Sequence, residues 1–139
     1  MTTLREKAIA IAFHFLGEPY RWGGDDPLAG FDCSGLMIEI LRSVGCLPRG
    51  GDWTAAQLAT HWPRTEALRP GCLLFWASGG AITHVEMVYQ TAPLLTIGAS
   101  GGGSKTTDRA AAIAQDAYVK IRPARAGWVQ QVDPFTGPT

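Results

Sequence analysis

Apolar positions recur at helical spacing from the start of the chain. Leu4, Ala8, Ile11, Ala12 and Phe15 form one stripe that Gly17 and Pro19 stop, which predicts an amphipathic helix over 3–16 with His14 beside its stripe. The segment YRWGGDDPLAGF then breaks the period with glycines and a proline between two aromatic ends, as a tight irregular turn does. A second stripe, Cys33, Leu36, Met37, Ile40, Leu41 and Val44, comes after Asp32, a residue suited to cap a helix, and ends at Gly45. Cys33 therefore falls in a first helical turn. Thr54 to Trp62 predicts a short helix capped by Asp52 or Thr54 and ended by Pro63.

Beyond this point the period changes. CLLFWA, entered through Arg69-Pro70-Gly71, is a continuous apolar run of strand length, and THVEMVY, entered through Gly79-Gly80, alternates. Leu94–Ile97 and Ala117–Ile121 predict two further strands, with a helical turn over Asp108–Gln115 between them. Helices first and strands afterwards give an α+β class, N-terminal helices packed on a small antiparallel sheet. Ala99–Ser104 is glycine-rich without the spacing of a phosphate loop, and the chain from about 130, ending DPFTGPT, reads as a weakly ordered tail.

Length and composition narrow the class. The 139 residues suit one domain, 1–139, and the 46% apolar content with only 17% charged residues excludes a disordered chain. Twelve basic residues cancel twelve acidic ones, so there is no field of the kind that draws a protein to nucleic acid. The longest apolar runs fall well short of the about 18 residues that a membrane span needs, so membrane insertion is not expected. The N-terminus lacks the small-residue cleavage site of a signal peptide, which predicts cytoplasmic synthesis. Cys33, Cys46 and Cys72 fit neither a disulfide framework nor zinc-ligand spacing, so free thiols are expected.

Cys33 is the residue placed for chemistry. A thiol at a helix N-terminus faces the positive end of the helix dipole, which favours the thiolate and predicts a lowered pKa. A thiol nucleophile needs a base, and the candidates are His14, His61 and His84. His84 opens the alternating strand; Val85, Met87 and Tyr89 fall on one face and His84 with Glu86 on the other. A histidine presented rigidly after a glycine turn suits the role.

Taken together, Tyr20-Arg-Trp22-Gly-Gly, Phe31-Asp32-Cys33-Ser34-Gly35-Leu36, Gly71-Cys-Leu-Leu-Phe-Trp76 and Thr83-His84-Val85 resemble, in order and spacing, the NlpC family of papain-like cell-wall cysteine peptidases. The resemblance runs from the first helix to about Ser100 and implies a papain-like fold. It also implies hydrolysis of stem-peptide amides in bacterial peptidoglycan, typically the bond between γ-D-glutamate and a diamino acid, without metal or organic cofactor. By motif position Cys33 is the nucleophile, His84 the base, and Tyr20 a partner of the oxyanion. Asp32, Ser34 and Trp22 would border the stem peptide, and Thr54 and Gln57 fall where the family carries a Ser/Thr and a Gln near its cleft. The GASGGGS stretch resembles phage and prophage members, for which a holin or a virion component would be the partner and phage delivery the route to the wall.

One departure stands out. The family carries a third polar residue, commonly His, on the strand after the base, and the matching stretch here is Thr96-Ile97-Gly98-Ala99-Ser100. Gly98 takes that position by motif, whereas counting from His84 selects Thr96. Glu86, in place of a usually small residue, stands two positions from His84 on the same strand face, so its carboxylate is a candidate to orient the imidazole. Two other readings remain open on the sequence: a phage-particle or wall-binding module that keeps the fold without the catalysis, and acyl transfer by the same Cys and His.

Overall fold

The computed structural model describes residues 3–26, 30–48 and 50–135. Its elements are α1 (Leu4–His14), β1 (Asp25–Asp26), β2 (Gly30–Phe31), α2 (Cys33–Ser43), α3 (Ala55–His61), β3 (Leu73–Ser78), β4 (Ala81–Thr91), β5 (Leu94–Ser100), α4 (Arg109–Ala114), β6 (Tyr118–Pro123) and β7 (Gln130–Val132). Helices on an antiparallel sheet are the class that the change of period predicted.

Local chemistry sets the helix starts. Thr3 Oγ1 accepts from the Glu6 N–H at α1, and Asp32 Oδ1 accepts from the Gly35 N–H at α2, 2.7 Å away. At α3 the cap is Thr54 rather than Asp52: its hydroxyl takes the Gln57 N–H while the Gln57 side chain takes the Thr54 N–H, a reciprocal capping box. α1 buries a narrower stripe than its sequence suggested, with Ala8 and Ala12 buried and Leu4 exposed. α2 buries Leu36, Met37, Ile38, Ile40 and Leu41, each contributing roughly 2 kcal/mol of apolar burial.

The sheet runs β6-β5-β4-β3-β7, antiparallel throughout. Leu73, Phe75, Val85, Met87 and Ile97 pack with the helices in one cluster, and Cys72, Leu74, Trp76 and Val88 form a second under Leu68, Leu94, Ala124 and Trp128. β3 is thus apolar on both faces, the physical reason that CLLFWA does not alternate.

Two parts depart from the sequence reading. The turn after Tyr20 contains a two-residue ladder, β1 with β2, too short to leave a periodic signal. Residues from 130 are not a loose tail as far as they are described: Gln130–Val132 pairs with Leu73–Phe75 as an edge strand. Arg5 clasps the segment beyond β7, donating to Asp133 Oδ2 at 2.9 Å and to the Pro70 carbonyl at 2.8 Å, with its guanidinium over the Phe135 ring. QQV carries no alternation of its own, so the partner strand decides its state. The last residues of DPFTGPT, 136–139, lie outside the described residues. No helix among the described residues is long and apolar enough to cross a membrane.

Candidate active site

The first turn of α2 opens into a cavity of about 330 Å³. Its wall takes Tyr20, Trp22, Asp32, Cys33, Ser34 and Thr54 from the residues singled out in the sequence, and adds Asp52, Trp53, Ile82 and Thr83. The loop that precedes α2 is folded onto it so closely that a Cβ on Gly35 would stand 1.9 Å from the Gly24 carbonyl oxygen. Glycine is required there by space.

Cys33 is 7% exposed, and its Sγ lies 3.7 Å from the Thr83 carbonyl oxygen. The Val85 backbone N–H also points at the sulfur, so Cys33 rests against the strand on both sides of His84. Burial pushes the thiol up to about 11; hydrogen bonds from the Val85 and Ser34 backbone act against this, and the Asp32 charge adds to it. Burial therefore acts against the lowered pKa expected from the helix dipole. Burial likewise raises Tyr20, with the neighbouring Cys33 and Asp32 charges adding to it, so its phenol stays a hydrogen-bond donor. A Cβ on Gly102 would stand 2.3 Å from the Tyr20 ring, which gives the glycine-rich stretch a part in seating that ring.

The other residues divide between wall and scaffold. Asp32 is occupied as the α2 cap and also accepts from the Gly23 N–H at 3.1 Å and the Ser34 hydroxyl at 3.3 Å. Burial raises its pKa, with those hydrogen bonds opposing. Trp22 is 55% exposed at the cavity, its backbone N–H held by the Thr106 carbonyl. Gln57 is not in the wall: its side chain is turned back into the α3 capping box, which corrects its expected place at the cleft. His14 is exposed on α1, and His61 stands edge-on between the Trp53 and Trp62 rings.

His84 belongs to a second cluster, on the strand that closes the cavity through Ile82 and Thr83. The ladder pairs His84 with Trp76 and Glu86 with Leu74, so both side chains share the sheet face of the second apolar cluster while Val85 and Met87 face the helices. His84 Nε2 lies 2.5 Å from Glu86 Oε2. Glu86 is 1% exposed, and it also accepts from Thr96 Oγ1 at 2.6 Å and from the Arg122 guanidinium at both oxygens. Burial alone would raise this carboxyl, but the hydrogen bonds from His84, Arg122 and Thr96 and the His84 charge bring it down to about 2. An ionised Glu86 can only accept, so His84 presents a proton on Nε2 to it, in the neutral ring as in the charged one.

The ladder also settles the strand count left open by the sequence. Met87 pairs with Ile97 and Val88 with Thr96, which puts Gly98 across from Glu86. A Cβ on Gly98 would stand 2.7 Å from Glu86 Cγ. Thr96 reaches Glu86, and it is Glu86 that meets the ring. Among the described residues no group of three or more His, Cys, Asp or Glu side chains could hold a metal ion.

The model of the NlpC/P60 family matches residues 17–123, which includes both clusters. The chain belongs to the NlpC/P60 family. This NlpC/P60 chain is 42% identical over 81 residues to Protein P54 of Enterococcus faecium, covering 57% of this chain and 15% of that protein. It is 40% identical over 87 residues to the gamma-D-glutamyl-L-lysine dipeptidyl-peptidase of Bacillus subtilis, covering 59% of this chain and 28% of that protein. It therefore spans less than a third of either relative. The crystal structure of the NlpC/p60 domain of the peptidoglycan hydrolase SagA superposes with a TM-score of 0.67 at 27% identity, covering 93% of this chain and 97% of that one.

Arg122, which reaches Glu86, and Asp52 and Trp53, which line the cavity, are neighbours of these two clusters that the sequence did not single out for the site. The sequence shows only that Lys120 and Arg122 share one strand face in YVKIRP; that Arg122 meets Glu86 depends on the strand registers.

Proposed function

We propose that this NlpC/P60 chain is a cysteine peptidase that hydrolyses stem-peptide amides of peptidoglycan, at the bond between γ-D-glutamate and the following diamino acid. The observation that carries the reading is a buried thiol at the first turn of α2, in a cavity, against the strand segment that bears a carboxylate-held imidazole. Family membership supports the reaction class. The bond is supported by the name of the Bacillus subtilis relative, which shares only its matched segment with this chain.

In this mechanism the Cys33 thiol passes its proton to His84 Nδ1 as Sγ bonds to the amide carbon. Burial raises the resting thiol, so in this mechanism its proton leaves as Sγ attacks. The oxyanion takes hydrogen bonds from the Cys33 backbone N–H and the Tyr20 hydroxyl. The C–N bond then breaks, His84 returns the proton to the departing amine, and a thioester remains on Cys33. Water, deprotonated by His84, attacks the thioester and releases the γ-carboxylate and the thiol. Trp22, Ser34 and Thr54 supply the aromatic surface and hydroxyls that border the substrate, and Asp32 shapes this wall through the cap it makes.

The test is digestion of a defined stem peptide, read as amine release. Cys33→Ala should abolish release with the fold intact, while Cys46→Ala and Cys72→Ala should retain it; wild-type release by Cys33→Ala would refute the cysteine mechanism. An added amine acceptor that diverts the thioester into a new amide, in preference to water, would assign the chain to acyl transfer instead.

A further inference from the structure

We propose that Arg122 is a positioning residue for this reaction, holding the Glu86 carboxylate on the Nε2 edge of His84 from the neighbouring edge of the sheet. The inference rests on His84 being the base and goes beyond that reading by adding a residue on a different strand, outside the sequence motifs that carry the family resemblance. The cluster has four parts drawn from three strands. His84 and Glu86 stand two apart on β4, Thr96 is on β5, and Arg122 on β6 pairs with Thr96 in the ladder. Gly98, between Glu86 and Lys120, leaves the space that the glutamate fills.

The division of the carboxylate is what gives Arg122 its role. Thr96 Oγ1 occupies Oε1, and the Arg122 guanidinium spans both oxygens, with Nε 3.4 Å from Oε1 and Nη2 on Oε2 beside His84 Nε2. A planar guanidinium that grips both oxygens fixes the plane of the carboxylate, and with it the direction from which His84 is held. A glutamate side chain otherwise rotates about its terminal bond through a broad range. The other charged groups near this face are engaged elsewhere: Lys120 Nζ donates to the Asp116 carbonyl, and the Arg125 guanidinium lies over the Trp76 ring. Among the described residues Arg122 is thus the permanently charged group on the buried Glu86, beside a His84 whose charge depends on its protonation.

The experiment measures kcat and KM on a defined stem peptide for Arg122→Met and Arg122→Lys, together with the ring-nitrogen NMR shifts of His84 in the same full-length proteins. Arg122→Met should lower kcat on the order of 30-fold with KM within about threefold, and should move the ring from the Nε2–H tautomer toward a mixture. Arg122→Lys, which keeps the charge and loses the fork, should recover part of both. If Arg122→Met does not fold, Arg122→Lys alone decides: a lowered kcat with a mixed tautomer supports the inference, and a wild-type kcat with the Nε2–H tautomer intact overturns it. A fall in kcat with the tautomer unchanged also overturns it, because that is what a merely structural arginine would give. Failure of the underlying reading looks different: His84→Ala would then keep its activity.

Discussion

Cys33 and Glu86 are both buried ionisable groups packed at β4, and their surroundings move them in opposite directions. The thiol has lost water and gained only weak partners, the Thr83 carbonyl and two backbone N–H groups, so it stays protonated. Glu86 is the less exposed of the two, yet His84, Thr96 and Arg122 surround its oxygens, and it stays ionised. Depth of burial therefore does not decide charge; the number and sign of the groups that replace water do. For the proposed chemistry the pairing is useful, because a protonated thiol and a base held by a permanent anion leave the proton one transfer to make.

The strongest way to break this comparison is to remove the base. His84→Ala should reduce turnover on the order of 1,000-fold, measured on a defined stem peptide, with circular dichroism unchanged. If turnover persists, the carboxylate cluster has no catalytic part. Moving the orienting group sharpens the same point: Glu86→Ala should lose most activity, and Glu86→Ala combined with Gly98→His should recover about tenfold of it, because the imidazole at 98 would enter the space that the glutamate vacates.

Stability tests the cluster without substrate. In acid, a carboxyl lowered to about 2 in the folded chain against an ordinary 4.5 contributes stability that is fully present above about pH 4.5 and is lost as pH falls toward 2. That contribution is on the order of 3 kcal/mol, and urea unfolding across this window should show it in the wild type and not in Glu86→Gln. Gly98→Ala should cost about 2 kcal/mol by forcing its Cβ against Glu86 Cγ, read as a lowered urea midpoint. The smallest effect concerns the thiol: at pH 7 Cys33 should alkylate no faster than half-buried Cys46, and its rate should climb with pH toward about 11. Faster labelling of Cys33 at neutral pH would show a preformed thiolate.

The two sides of β4 were also unequally legible in the sequence. On the cavity side the decisive features are local: Asp32 caps its own helix, Cys33 comes next, and Gly35 admits the loop, so a motif of four residues contains most of the geometry. On the other side the Glu86–His84 contact was within reach because two residues on one strand face are neighbours by the strand repeat alone. Arg122 was not, since its place depends on the β4–β5 and β5–β6 registers and on a hairpin whose length the sequence left ambiguous. β7 was missed for the same reason, being defined by Leu73–Phe75 across the sheet rather than by its own residues. Gln57 shows the reverse error: a motif position suggested the cleft, while the local capping box captured the side chain first.

In the proposed mechanism Glu86 holds His84 as the base, and turnover of a defined stem peptide by Glu86→Gln tests this most directly. Lys120→Ala is the matched control, a change on β6 across from Gly98 whose ammonium is engaged by the Asp116 carbonyl. A carboxylate-held base predicts a loss on the order of 1,000-fold in kcat for Glu86→Gln at nearly unchanged KM, and a kcat within about threefold of wild type for Lys120→Ala. Near-wild-type turnover by a folded Glu86→Gln protein would contradict it.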